Sequence, residues 1–209
     1  MKNLLLTIVS IIFLFGTNNA QEFGFKKGSK FLEGNVKINY SDDENWGENS
    51  RMTIIVPKFG YFVNDKLAIG VDLMFSDMHE EKTDENTSFE MHGFGFGVFG
   101  RYYFLELGSR FKTYAELTAD YGNTYTNEIE NGVVNRSPDY ISYYTSANLG
   151  ANFFVTKRLS INYTLTDLIY ARTSKNDIAN SLRDNEFTLN LNIFNNIFSE
   201  SSFGLSYRF

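Results

Sequence analysis

From residue 30 onward the chain alternates apolar and polar side chains with a period of two, the spacing of a strand with one greasy face. Eight segments carry the pattern. The first, Lys30 to Tyr40, sets Leu32, Gly34, Val36, Ile38 and Tyr40 against Glu33, Asn35, Lys37 and Asn39. The second, Met52 to Val63, puts Ile55, Pro57, Phe59, Tyr61 and Val63 opposite Lys58 and Gly60. In the third, Leu67, Ile69, Val71, Leu73 and Phe75 alternate with Ala68, Gly70, Asp72, Met74 and Ser76. The fourth, about Ser88 to Leu105, opposes Phe94, Phe96, Val98, Tyr102 and Phe104 to Gly93, Gly95, Gly97 and Arg101.

In the fifth, Phe111 to Tyr125, Leu117, Ala119 and Tyr121 oppose Lys112, Tyr114, Glu116, Thr118 and Asp120. The sixth runs from Tyr140 to Val155. The seventh starts at Leu159 with Ile161, Tyr163 and Leu165 on the apolar face. Its phase slips near Asp167, which predicts a bulge that hands that face to Leu168 and Tyr170. The last segment joins Phe187, Leu189, Leu191 and Ile193 to Phe203, Leu205, Tyr207 and Phe209. It predicts one long eighth strand, interrupted across Asn195 to Ser202; the alternative is a ninth short strand, which would put the two chain ends on opposite sides.

The connections alternate in length. Asn64 to Lys66, Glu106 to Arg110 and Thr156 to Arg158 are short, whereas Ser41 to Arg51, Asp77 to Thr87, Thr126 to Asp139 and Thr173 to Glu186 are polar and eleven to fourteen residues long. Short turns at one end and long loops at the other predict an all-β, eight-stranded antiparallel up-and-down barrel. An even strand count brings both ends of the chain to the side of the short turns.

The first twenty residues differ in kind. Lys2 precedes a twelve-residue apolar run from Leu4 to Phe15, and small or polar residues follow to Ala20. That is the plan of a cleaved export signal, and the run is too short for a membrane-spanning helix. Residues 21–209 then form one domain with eighteen basic and twenty-five acidic residues, a net charge of −7. No basic face exists to neutralise phosphates, so nucleic acid is an unfavourable partner. The absence of cysteine excludes disulfides and thiolate metal sites. The thirty-four Phe and Tyr residues suit strand surfaces and membrane interfaces.

A barrel in water and a barrel in lipid differ in which face is apolar. The polar set here holds Glu33, Lys37, Lys58, Asp72, Arg101, Lys112, Glu116 and Asp120, four acids and four bases. Away from water such charges must pair, and a balanced set on facing strands allows it. The opposite set is almost wholly Phe, Tyr, Leu, Ile, Val, Ala and Gly, an apolar surface that a soluble carrier could not show without aggregating. The expected arrangement is therefore transmembrane, with the charges forming a network inside a lumen only wide enough for side chains.

Several segments resemble a known group. Pro57-Lys58-Phe59-Gly60-Tyr61-Phe62-Val63 followed by Asn64-Asp65-Lys66-Leu67-Ala68-Ile69-Gly70, then Arg101-Tyr102-Tyr103-Phe104, then Phe203 to Phe209, are similar to motifs of the small outer-membrane β-barrel family (porin-like, OmpA-type transmembrane domain), in particular its Bacteroidetes-like members. The resemblance implies the outer membrane of a Gram-negative cell, with lipid as the surrounding partner. It also implies that the closing strand, through Gly204, Tyr207 and Phe209, is the signal read by the barrel-assembly machinery.

The residues carry little further chemistry. Asp42, Asp43, Glu44 and Glu48, with Glu80, Glu81, Asp84 and Glu85, form acidic loops able to meet an extracellular ligand, but without an ordered metal-ligand spacing. Trp46 sits among them. His79 and His92 are the only imidazoles and belong to no Ser/His/acid pattern; Gly93, Gly95 and Gly97 alternate within a strand and cradle no phosphate. No cofactor is expected. The expectation is a monomeric, non-enzymatic barrel with a structural or cell-surface interaction role. A small-solute channel is the alternative, and a lipid-modifying enzyme comes third.

Overall fold

The computed structural model describes residues 23–43, 48–82, 87–178, 180–190 and 202–209. The expected export signal, residues 1–20, together with Glu44, Trp46, Asp84 and Glu85, lies outside them. Among the described residues there are ten strands: β1 Lys30–Asp43, β2 Glu48–Phe62, β3 Leu67–Lys82, β4 Thr87–Leu107, β5 Phe111–Glu130, β6 Val133–Arg136, β7 Tyr140–Phe154, β8 Leu159–Asn176, β9 Asp184–Leu189 and β10 Ser202–Arg208. All pairings are antiparallel. The sheet runs β10-β1-β2-β3-β4-β5-β7-β8 and closes through a β8–β10 ladder, giving an eight-stranded barrel.

The eighth position is divided, which refines the single long strand read from the sequence. β10 pairs with the lower part of β8, from Leu159 to Thr164, and β9 with its upper part, from Ile169 to Ser174. The path expected for Asn195 to Ser202 lies outside the described residues except for Ser202, where β10 begins.

Three expectations change. The long connections are not loops for most of their length, because β1, β2, β3, β4 and β5 continue into them and keep their register up to Asp43–Glu48, Lys82–Thr87 and Glu130. Ladder hydrogen bonds need no apolar side chains. Where both faces meet water the period-two signal vanishes although the strand goes on. Asp42, Asp43, Glu48, Glu80 and Glu81 accordingly sit on strands.

Secondly, Thr126 to Asp139 folds as a β5–β6 hairpin. Asn131 and Gly132 turn it with φ of 49° and 82°, the pair of left-handed positions that a two-residue turn requires.

Thirdly, β8 is irregular near Asp167 but keeps its phase. Two register shifts fall between Ala147 and Gly150 of β7, and together they add an even number of residues to β8. Ile169 therefore stays outside, opposite Ala147, whereas Tyr170 turns inward opposite Ser146. Leu168 and Tyr170 do not take over the apolar face.

The two faces of the wall separate cleanly. On β3, Ile69 and Val71 are 50% and 54% exposed, while the flanking Ala68 and Asp72 are 0% and 6% exposed. Leu117, Phe96, Val98, Val36, Phe203 and Leu205 continue the bare apolar surface around the barrel. From Leu67 to Phe75 this belt covers eight strand steps, about 27 Å along the strand, or about 20 Å along the axis at a tilt near 40°. That height approaches the apolar band of about 25 Å on barrels that sit in lipid. No helix among the described residues is long and apolar enough to cross a membrane; the strands do the crossing.

Pro57, on the outer face of β2, costs the ladder to β3 one donor, and the recorded register skips Val56 and Pro57 before resuming at Lys58–Asp72. Below, the chain before β1 turns into the barrel mouth. Phe25 stacks on Phe62 at 4.4 Å and touches Phe31, Tyr103 and Phe154 at ring separations of 5.7, 5.3 and 5.2 Å. Gly28 N–H donates to Phe62 O at 2.8 Å, Lys27 N–H to Asp65 Oδ1 at 2.8 Å, and the Arg208 guanidinium to Gly24 O.

If lipid lies against the belt, a cation placed there must be desolvated. Val71→Arg is expected to lower the unfolding free energy in bilayers by about 2–4 kcal/mol, read from urea titration of folded and unfolded gel mobilities. An unchanged midpoint would place Val71 in water.

Candidate functional site

Inside the wall, one layer above the aromatic mouth, β1, β2, β4 and β5 each contribute a charged side chain. Register sets Glu33 beside Lys58, and Arg101 beside Glu116. Inward parity brings all four to the axis. Arg101 holds Glu33 in a fork, Nη1 to Oε2 and Nη2 to Oε1, both at 2.8 Å. Its Nε donates to Glu116 Oε2 at 2.7 Å, and Lys58 Nζ donates to Glu116 Oε1 at 2.6 Å. Arg101, Glu33 and Glu116 are buried almost completely.

Two cations and two anions leave the cluster neutral, and bidentate geometry offsets part of the cost of taking each ion out of water. The Arg101 guanidinium also lies 4.1 Å from the Tyr114 ring centre. Gly150 faces that ring, and a Cβ there would collide with it. The small residue on β7 thus makes room for the aromatic on β5 that covers the cation.

Neutral groups carry the network outward. Glu33 Oε1 accepts from Asn35 Nδ2 at 3.5 Å, and Asn35 Oδ1 accepts from Asn162 Nδ2 at 2.6 Å. Arg101 Nη1 donates to Tyr103 Oη at 3.4 Å, and Tyr103 Oη–H donates to Asn152 Oδ1 at 2.9 Å. The network therefore ties β1, β2, β4, β5, β7 and β8 together across the lumen.

The other four charges expected in the network take no part in these hydrogen bonds, although Asp72 stands opposite Lys58 in register. Lys112 pairs with Glu106 at 2.5 Å at the lower mouth. Lys37 lines a cavity of about 310 Å³ above the cluster, with Asn148 and Asp167 across from it. Asp72 and Asp120 converge one layer up in front of Gly97, where any Cβ would meet both carboxylates. Asp72 Oδ2 is buried there without a hydrogen-bond partner.

Gly204 gives close passage to Asn35 and Asn162 on the lumen side. Tyr207 and Phe209 pair outside at 5.2 Å, and Arg158 donates to the Tyr207 hydroxyl at 3.3 Å.

Sequence reasoning overlooked the neutral partners Tyr103, Tyr114, Asn152 and Asn162, although all four stand at polar-face positions of their strands. It also overlooked Phe25, for which the alternation Phe23-Gly24-Phe25 was the available signal. His79 and His92 lie on the outer face of the upper rim, where His92 Nδ1 is 2.8 Å from Asp77 and His79 Nε2 is 3.0 Å from Glu81. Among the described residues no group of three or more His, Asp or Glu side chains is placed to hold a metal ion.

A closed antiparallel barrel that is apolar outside and ion-paired inside defines a small transmembrane β-barrel. No family model and no curated protein matches the sequence. Solved structures resemble the chain at low identity. Neisserial surface protein A is 17% identical, over 87% of this chain and 96% of its own, with a TM-score of 0.40. The outer membrane protein OprG from Pseudomonas aeruginosa is 13% identical, over 89% and 98%, with a TM-score of 0.47. Ail, the attachment invasion locus protein of Yersinia pestis, is 15% identical, over 88% and 99%, with a TM-score of 0.43.

Removing Arg101 strands two buried carboxylates with only Lys58 for company. Arg101→Met is expected to cost about 3–5 kcal/mol. The double variant Arg101→Met/Glu33→Gln, which restores neutrality, is expected to recover a substantial part. Urea unfolding of the single and double variants in one detergent checks both; equal losses would show that charge balance is not what the cluster supplies.

Proposed function

We propose that this chain is an integral outer-membrane barrel of a Gram-negative cell. It would be exported by residues 1–20, inserted by the barrel-assembly machinery through its closing strand, and stable as a monomer in lipid. Its role is structural or a matter of cell-surface contact, made by the strand ends and turns of the upper rim. The upper ends of β1 to β4 carry Asp42, Glu48, Glu80, Glu81 and Glu90, an acidic collar suited to a cationic or hydrogen-bonding extracellular ligand.

The observation that carries this reading is the filling of the lower half of the lumen. Phe25, Phe31, Phe62, Tyr103 and Phe154 pack across the mouth, and the Arg101–Glu33–Glu116–Lys58 layer crosses just above. A solute would have to displace an aromatic cluster and then part buried ion pairs. The cavities above these layers favour a blind well that opens outward over a small-solute channel.

Planar-bilayer recording tests the reading. The expected result is no discrete opening from the intact protein; reproducible unitary steps that disappear with the protein would establish a pore. The non-enzymatic half has its own test in cells. Replacing His79 and His92 with Ala is expected to leave lipid A and phospholipid acyl composition unchanged, and a shift in either would assign the rim a catalytic role.

A further inference from the structure

Four of the five methionines in the sequence stand at lumen-facing positions of three adjacent strands. Register puts Met52 of β2 opposite Met78 of β3, and Met78 opposite Met91 of β4. The three therefore form one cross-strand row on the concave side of the wall, one strand spacing of about 4.8 Å apart. Met74 lies two inward positions below Met78, with Ser76 between them. Its sulfur already accepts a hydrogen bond from the Tyr144 hydroxyl at 3.5 Å.

Above the row the lumen opens into a cavity of about 320 Å³ lined by Met78, Met91, Phe89, Thr126, Glu80 and Lys82. Met91 is 38% exposed, so the row is reachable from the outer end. We propose that the Met52–Met78–Met91 row binds a soft monovalent cation, Cu(I) or Ag(I), through its three thioethers.

The chemistry follows from the donor set. Thioethers are soft, uncharged ligands that select Cu(I)-like ions over the harder divalent metals. The chain has no cysteine, so thioethers are its only sulfur donors. Long unbranched side chains projecting from the inside of a curved sheet converge towards the axis and tolerate adjustment on binding. Glu80 in the same cavity supplies negative charge for a cation held by neutral ligands, while Lys82 beside it pairs with Glu48 at 3.3 Å. A purely space-filling role for the row predicts that leucine would serve as well, and this separates the two readings.

The test uses the full chain in detergent micelles, with Met ε-methyl groups carbon-13 labelled and silver nitrate as the redox-stable probe. The methyl signals of Met52, Met78 and Met91 are expected to shift together and saturate at equimolar silver, with Met74 moving least. The Met52→Leu/Met78→Leu/Met91→Leu variant is expected to bind silver at least about tenfold more weakly, whereas His79→Ala/His92→Ala binds as the parent does. Three results would overturn the site: no saturable shift in the parent, shifts confined to Met74, or loss of binding in the histidine variant with retention in the leucine variant. The parent titration stands by itself if the leucine variant does not fold.

Discussion

Everything in this molecule depends on closing a β ladder where water cannot reach. A strand in hydrocarbon must give every N–H and C=O group a protein partner, and an open sheet edge fails that condition. Here the condition is met by pairing β10 with both β1 and β8. Closure makes an inside and an outside. The pleat then sends alternate side chains to each, so lipid outside and confinement inside impose opposite demands on neighbouring residues.

The inside demand produces the charged layer. A lumen of eight strands is filled by side chains, and ions in it must find one another. Arg101 can serve two carboxylates because its guanidinium offers donors in two directions, a task one lysine could not perform with the same geometry. Tyr114 and Gly150 show the same logic at the level of volume, since a large ring on one strand needs a missing side chain on the next. Below, the chain before β1 adds the Phe25 ring to the rings that Phe31, Phe62, Tyr103 and Phe154 bring from the strands. The lower lumen is thus solid, and the upper lumen holds the cavities and the sulfur row.

Much of this was legible because lipid enforces a strict period. Leu67 to Phe75 and Phe203 to Phe209 announce both strand and orientation. Legibility fails where that enforcement ends. Asp77 to Lys82, with Ser41 and Asp42, read as loop because both of their faces meet water, although their ladders are continuous. Near Asp167, two irregularities that each add one residue to β8 together restore its phase, which from sequence looks like a single slip. For the charged set, alternation assigned each residue to the lumen but not to a height. Height decided that Glu33, Lys58, Arg101 and Glu116 meet, while Lys112 pairs with Glu106 and Asp72 converges with Asp120 on Gly97.

The sequence by itself determined which face each strand residue takes, because an alternating pattern has only two phases and lipid accepts one. The tertiary structure alone decided who meets whom across the lumen. Stagger between strands far apart in the chain sets the level at which each side chain arrives, and no local pattern encodes that offset. The same offset aligns Met52, Met78 and Met91 in one row, although in the sequence they are scattered over three strands.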